Sequence, residues 1–138
     1  MGRHAGDATL PVPKWLRLRV DTWMRRTGLD SQWGKIAIEF LPRIDRGHTG
    51  MQVSWSQGYH NGLLQVAKDD YDKLTPAEAD QKILHELHHF FTARVSDRLR
   101  KLIGNDSFVY KEYSDEEEHC AEQFGNMYRR AFARKQVT

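Results

Sequence analysis

The sequence predicts an α+β fold, and three observations carry that expectation. Lys14–Thr27 places its apolar residues at helical spacing. Three short runs between residues 35 and 68 read as strands, two of them with clear period-two alternation. Two long segments after Thr75 return to helical spacing, each behind a start signal. The chain has 138 residues, the size of one domain, and can bury roughly two-thirds of its unfolded surface. Hydrophobic residues make up 39% and charged residues 29%, with mean hydropathy −0.73. That is polar for a globular domain, but the 11% aromatic content is too high for a disordered one.

Taken in order, residues 1–10 are small and polar and are expected to form a flexible N-terminus, with 11–138 as the single domain. Behind Pro11 and Pro13, Leu16, Val20, Trp23 and Met24 line one helical face, and Gly28 is placed to stop the helix. Lys35–Leu41 alternates Ile36, Ile38 and Phe40 and ends at Pro42. Met51–Ser56 alternates Met51, Val53 and Trp55 with polar residues. Leu63–Lys68 follows the turn pair Asn61-Gly62, and Gly47 to Gly50 reads as another turn. A sheet of three or so strands follows, with Trp33 and Trp55 as core or sheet-face residues. Thr75-Pro76-Ala77-Glu78 then opens a helix with a capping box and proline at the first helical position, and Gly104-Asn105 ends it near Ile103. Ser114-Asp115-Glu116-Glu117 repeats the start pattern for a last helix reaching about Arg134.

Several classes are set aside by composition. No run of about 18 apolar residues is present, so no membrane span is expected. Met1–Leu10 has no apolar core of a secretory signal. Cys120 is the single cysteine and cannot form an internal disulfide, and it is read as a core residue of the last helix. A cytoplasmic location is the resulting expectation. The net charge of +2 does not by itself argue for nucleic acid. Arg17, Arg19, Arg25 and Arg26 near one end, and Arg129, Arg130, Arg134 and Lys135 near the other, read most simply as solvated faces. A nucleic-acid partner is their sharper alternative.

Chemistry concentrates in His85-Glu86-Leu87-His88-His89. In this H-E-x-x-H pattern, His85 and His89 lie one helical turn apart on one face, where both imidazoles can bind one Zn²⁺. Glu86 stands beside that metal, placed to hold water and accept its proton. Ala79, Ile83, Leu87 and Phe90 form an apolar stripe, with His85, His89 and Thr92 on nearly the opposite side. That second face is polar without being charged, as if another element covers it. The helix is therefore expected between the sheet and the metal site. His88 reads as a group that supports the ligands or lies at the rim of the site, His48 and His60 as solvated turn residues, and His4 as part of the loose tail.

A catalytic zinc normally takes three protein ligands. The third is expected from the last helix, where Glu118 and Glu122 are four apart and share a face. One can bind the metal while the other receives the N–H of a ligand histidine. Glu118 leads; Glu117 and His119 remain alternatives. Gly125, on nearly the same face, permits close approach to the histidine helix, and Asp115 and Glu116 read as first-turn acids that favour the helix dipole.

With these residues placed, the chain resembles the gluzincins, the thermolysin-like class of zinc metallopeptidases. Their E-x-x-x-D pattern followed by glycine is represented here by Glu118-x-x-x-Glu122-x-x-Gly125, with Glu for Asp. The size is closer to minimal zincins: SprT-like proteins, ImmA/IrrE-type peptidases and small phage-encoded metallopeptidases. The resemblance implies a zincin-like domain of N-terminal helix, small sheet, H-E-x-x-H helix and glutamate helix. It implies Zn²⁺ on His85, His89 and Glu118, Glu122 orienting a histidine, and Glu86 as the catalytic base of a narrow-specificity peptidase. The substrate would be a protein or peptide lying along the strand near Leu63–Lys68. Larger gluzincins add a His or Tyr that stabilises the oxyanion; here Tyr110, Tyr113 and His119 are the candidates. A zinc-binding regulatory protein without proteolysis, and a DNA-associated SprT-like peptidase, are the competing expectations.

Overall fold

The structure is a computed structural model that describes residues 9–44 and 50–137. Its element order is α1 (Lys14–Thr27), α2 (Asp30–Trp33), β1 (Ala37–Leu41), β2 (Met51–Trp55), β3 (Gly62–Ala67), α3 (Lys68–Tyr71), α4 (Pro76–Ile103) and α5 (Phe108–Ala131). The α+β class is as expected. The short helices α2 and α3 are additions, each a single turn too brief to leave a period in the sequence. His4, His48 and most of the Gly47–Gly50 turn lie outside the described residues.

α1 forms where its spacing places it. Leu16, Val20, Trp23 and Met24 are buried, and Gly28 stops the helix in the left-handed region at φ 80°. The start of α4 satisfies its own backbone. Thr75 Oγ1 accepts the Glu78 N–H at 3.2 Å, and the Glu78 carboxylate accepts the Thr75 N–H at 2.9 Å. Ala79, Ile83, Leu87 and Phe90 are all buried along the inner face of α4. Each large member contributes about 1.5–3 kcal/mol relative to exposure.

The sheet order is β1-β3-β2, with β3 parallel to β1 and antiparallel to β2. The strand nearest α4 in sequence is therefore central. The expectation that Leu63–Lys68 offers a free edge is corrected: both of its sides are paired, and β2 is the edge strand beside α4. One face of the sheet packs on the helices through Phe40, Met51, Leu64 and Val66. On the other, Gln52 donates to Gln65 at 2.6 Å and Gln65 to Glu39 at 2.9 Å, a polar ladder that links all three strands at matched register. Leu10 also joins the sheet, donating its N–H to the Phe40 carbonyl at 2.7 Å. Trp55 Nε1 and the Tyr59 hydroxyl both donate to Asp97, tying the β2–β3 hairpin to α4.

Three further expectations change. The β2–β3 turn falls at Gln57–Tyr59, and Gly62 is already in β3, paired with Trp55. α5 begins at Phe108, six residues before the expected Ser114, because Ser107 Oγ accepts the Tyr110 N–H at 3.0 Å and caps it first. The acidic run thus sits in the middle of α5, not in its first turn, and the dipole reading of Asp115 and Glu116 falls. Finally, Cys120 is exposed, because the inward stripe of α5 runs through Glu117, Ala121, Phe124 and Gly125.

Gly62 is retained by space, not by turn geometry. A Cβ there would lie 2.8 Å from the Phe90 ring and 3.0 Å from Ile36 Cγ2. Gly62→Ala is expected to destabilise the fold by about 1–3 kcal/mol through overpacking. Urea unfolding of the variant beside wild type measures this, and an unchanged midpoint would contradict it.

Candidate metal centre

Two helices build the centre. α4 supplies His85, Glu86, His88 and His89; α5 supplies Glu117, Glu118 and Glu122. They lie close along this seam because Ala121 and Gly125 carry little or no side chain there. A Cβ on Gly125 would sit 2.6 Å from the Gln81 amide nitrogen, the group that donates to the Glu122 carbonyl at 3.1 Å and its carboxylate at 3.2 Å. The expected role of Gly125 in close approach therefore holds.

Each imidazole is gripped on one nitrogen and aimed with the other. His85 Nδ1 lies 3.0 Å from Glu122 Oε1, and His89 Nδ1 lies 2.7 Å from Glu117 Oε1. With Nδ1–H donating to a carboxylate, a neutral imidazole carries its lone pair on Nε2. Both Nε2 atoms face Glu118, at 2.8 Å for His85 and 3.2 Å for His89. Glu117 also takes His88 Nδ1 at 3.0 Å and the Thr92 hydroxyl at 3.2 Å. Spacing puts Glu117 in competition with Glu118; Glu117 stands on the Nδ1 side of His89 and Glu118 on the Nε2 side, and both lie within reach of His89 for a shared ion. Its signal was present but offset, since Glu117 lies on the buried stripe of α5.

The donor chemistry fits a small divalent cation. His85, Glu86 and His89 offer ligand atoms within 4.8 Å of one another, as do His89, Glu117 and Glu118. Zinc ligands at 2.0–2.1 Å in a tetrahedron stand about 3.3 Å apart. His89 Nε2 lies 3.2 Å from Glu118 Oε1, near that spacing, and His85 Nε2 lies closer, 2.8 Å, to the other oxygen Oε2; imidazole with carboxylate suits zinc.

Charge is divided unevenly. Burial pushes the Glu86 carboxyl up to about 7, against the pull of His89 and His85. Burial also works to raise Glu117, but hydrogen bonds from His88 and His89 outweigh it and hold the carboxyl down at about 2. Burial alone would lower His89, yet the Glu117 hydrogen bond raises it; Glu122 is lowered by His85 and Gln81 against its burial.

The cluster opens onto a cleft of about 450 Å³ bounded by Gly50 and Met51 at the start of β2, by Gln81, His85 and Glu86, and by Glu122 and Arg129 of α5. Arg129 was not singled out for this cleft by the sequence reading, although it lies two turns beyond Glu122 on the same face. The oxyanion candidates are not gathered in. The Tyr113 hydroxyl pairs with Ser96 Oγ at 2.9 Å, Tyr110 packs on Tyr113, and His119 is exposed. Comparisons with models of known protein families, with curated proteins and with solved structures find no significant match.

The pKa directions set a pH signature for the metal-free chain. Glu86 has a folded-state pKa raised from 4.5 to about 7, so the folded state holds its proton more tightly. Its penalty grows as pH rises from about 4.5 and is complete above about 7. Glu86→Gln is therefore expected to stabilise chelator-treated protein at pH 8, by about 1–3 kcal/mol, with little effect below pH 4.5. Glu117 has the opposite sign. Its contribution is full above about pH 4.5 and is lost as pH falls towards 2. Glu117→Gln should cost about 1–3 kcal/mol at pH 7 and little near pH 2. Denaturant unfolding across pH reads both, and variants with parallel pH profiles would contradict the assignment.

Proposed function

We propose that this protein is a zinc-dependent peptidase of narrow specificity, with His85, His89 and Glu118 as the metal ligands. The observation that carries the reading is the paired orientation of the imidazoles. Both Nδ1 atoms are engaged by carboxylates, and both Nε2 atoms converge on a third. Carboxylates behind ligand histidines fix ring orientation and raise ligand basicity.

When bound, Zn²⁺ supplies a Lewis acid that polarises a carbonyl and brings a water's pKa towards about 7. The chain supplies the rest. Glu86, whose carboxylate lies within 4.8 Å of the His85 and His89 ligand atoms, stands where it can take a proton from water and return it to the leaving amine. Glu117 and Glu122 hold the imidazoles in place.

The substrate reading moves with the sheet order. Gly50 accepts from Ala67 on the β3 side, and Ser56 donates to Asn61 on that side. The antiparallel ladder alternates, so the N–H and C=O groups of Val53 and Trp55 point to the side of β2 away from β3, where no further strand pairs among the described residues. An extended peptide added there would run beside the cleft that Met51 shares with His85 and Glu86. A regulatory zinc protein without turnover is the second reading, favoured by the placement of Tyr110, Tyr113 and His119 away from the cluster. The DNA-associated peptidase draws on the basic residues alone.

The zinc-loaded chain is expected to cleave an unfolded protein or an extended peptide from a random library. Glu86→Gln should lower kcat by about 10²–10⁴-fold while keeping its zinc. Glu86→Gln turning over at the wild-type rate would contradict the mechanism. Zinc binding with no cleavage by wild type of any member of the library would favour the regulatory reading.

A further inference from the structure

Two basic segments remote in sequence meet on one surface. α1 and the end of α5 converge over the first turn of α4. The Trp23 and Phe132 rings meet edge to face at 5.8 Å. The Arg26 guanidinium lies 4.9 Å from the first ring and 4.6 Å from the second, and its Nη2 donates to the Gln136 carbonyl at 2.6 Å. Between these elements is a hollow of about 600 Å³, whose lining includes Trp15, Arg19, Arg26, Arg129, Arg130 and Lys135. That volume lies within the usual range for small-molecule sites.

The charge there is not balanced. Among the described residues that line it, Asp80 is the one carboxylate, and it already accepts Arg19 Nη1 at 2.8 Å and Trp23 Nε1 at 3.0 Å. Two buried guanidinium nitrogens, Arg26 Nη1 and Arg129 Nε, have no hydrogen-bond partner among the described residues. The other nitrogens of these side chains donate, among the described residues, only to neutral carbonyls, Arg129 Nη1 to Ala77 and Arg26 Nη2 to Gln136, so the positive charge of the lining is not neutralised by these contacts. Trp15, 65% exposed, lines the same hollow as these cations. Cations that take phosphate next to an aromatic ring that stacks a base are the two halves of nucleotide recognition.

We propose that this hollow is a nucleotide-binding site, with phosphate held by Arg26, Arg129, Arg130 and Lys135 and the base stacked on Trp15. A free nucleotide and a nucleotide unit of a single strand share this chemistry. The site does not depend on the metal centre, although Arg129 borders both hollows.

The test uses the full chain in chelator, so that it is independent of zinc. Fluorescein-labelled dT10 is followed by anisotropy, and ATP, tripolyphosphate and polyglutamate are used as competitors. Trp15→Ala and the double variant Arg130→Glu/Lys135→Glu change exposed residues; Arg98→Glu, exposed near the other end of α4, is the control. Binding of dT10 that weakens at least about tenfold in both test variants and not in the control would support the site, with a log–log salt slope of about −2 for three phosphate contacts. ATP binding with the same sensitivity, without dT10 binding, would support it and identify free nucleotide as the source. The proposal is overturned if neither binds, if Arg98→Glu loses as much, if Trp15→Ala has no effect, or if tripolyphosphate or polyglutamate competes as well as the nucleotide probes.

Discussion

The candidate centre depends on how closely α5 can lie against α4. Three carboxylates reach two imidazoles because Ala121 and Gly125 leave the seam nearly bare of side chains. A larger residue at Gly125 would strike Gln81 and, through it, the Gln81–Glu122 hydrogen bonds that position the carboxylate behind His85. On its other side α4 is anchored to the sheet by Ile83, Leu87 and Phe90. The helix is therefore fixed by apolar packing on one face and presents its histidines, already oriented, on the other.

The same arrangement sets apart the roles of the carboxylates. Glu117 collects hydrogen bonds from two imidazoles and a hydroxyl, so it stays ionised despite its burial. Among the described residues no hydrogen bond to Glu86 offsets its burial, which outweighs the pull of His89 and His85, and its carboxyl rises to about 7. Residues of one chemical type are thus held in opposite senses, Glu117 well below the usual carboxylate range and Glu86 above it. Environment, not identity, makes the difference.

Much of this was legible in the sequence. α1 and α4 end where their glycines predict, because capping and period are local and strong. The H-E-x-x-H pair and Glu118 come together because one spacing puts His85 and His89 on one face and another puts Glu118 and Glu122 on one face. What could not be read depended on tertiary arrangement. Two strand runs near each other in sequence, β2 and β3, do not reveal which is central. Ser107 and Ser114 both make good caps, and the earlier one wins because Phe108–Tyr113 continues helical without a break. Gly62 looked like turn chemistry, but its constraint is the Phe90 ring, which only packing brings to it. The inward stripe of α5 falls about one residue from where its apolar residues point, through Glu117 and Ala121, and so leaves Cys120 outside. No helix among the described residues is long and apolar enough to cross a membrane.

The central claim is that carboxylates behind the imidazoles organise them for one cation. Titrating chelator-treated protein with Zn²⁺ by calorimetry, with mass spectrometry to count bound metal, tests it most directly. One zinc per chain is expected in wild type, abolished by His85→Ala, and bound about 10–100-fold more weakly after Glu117→Gln or Glu122→Gln. No zinc in wild type, or unchanged affinity in both glutamine variants, would contradict the account.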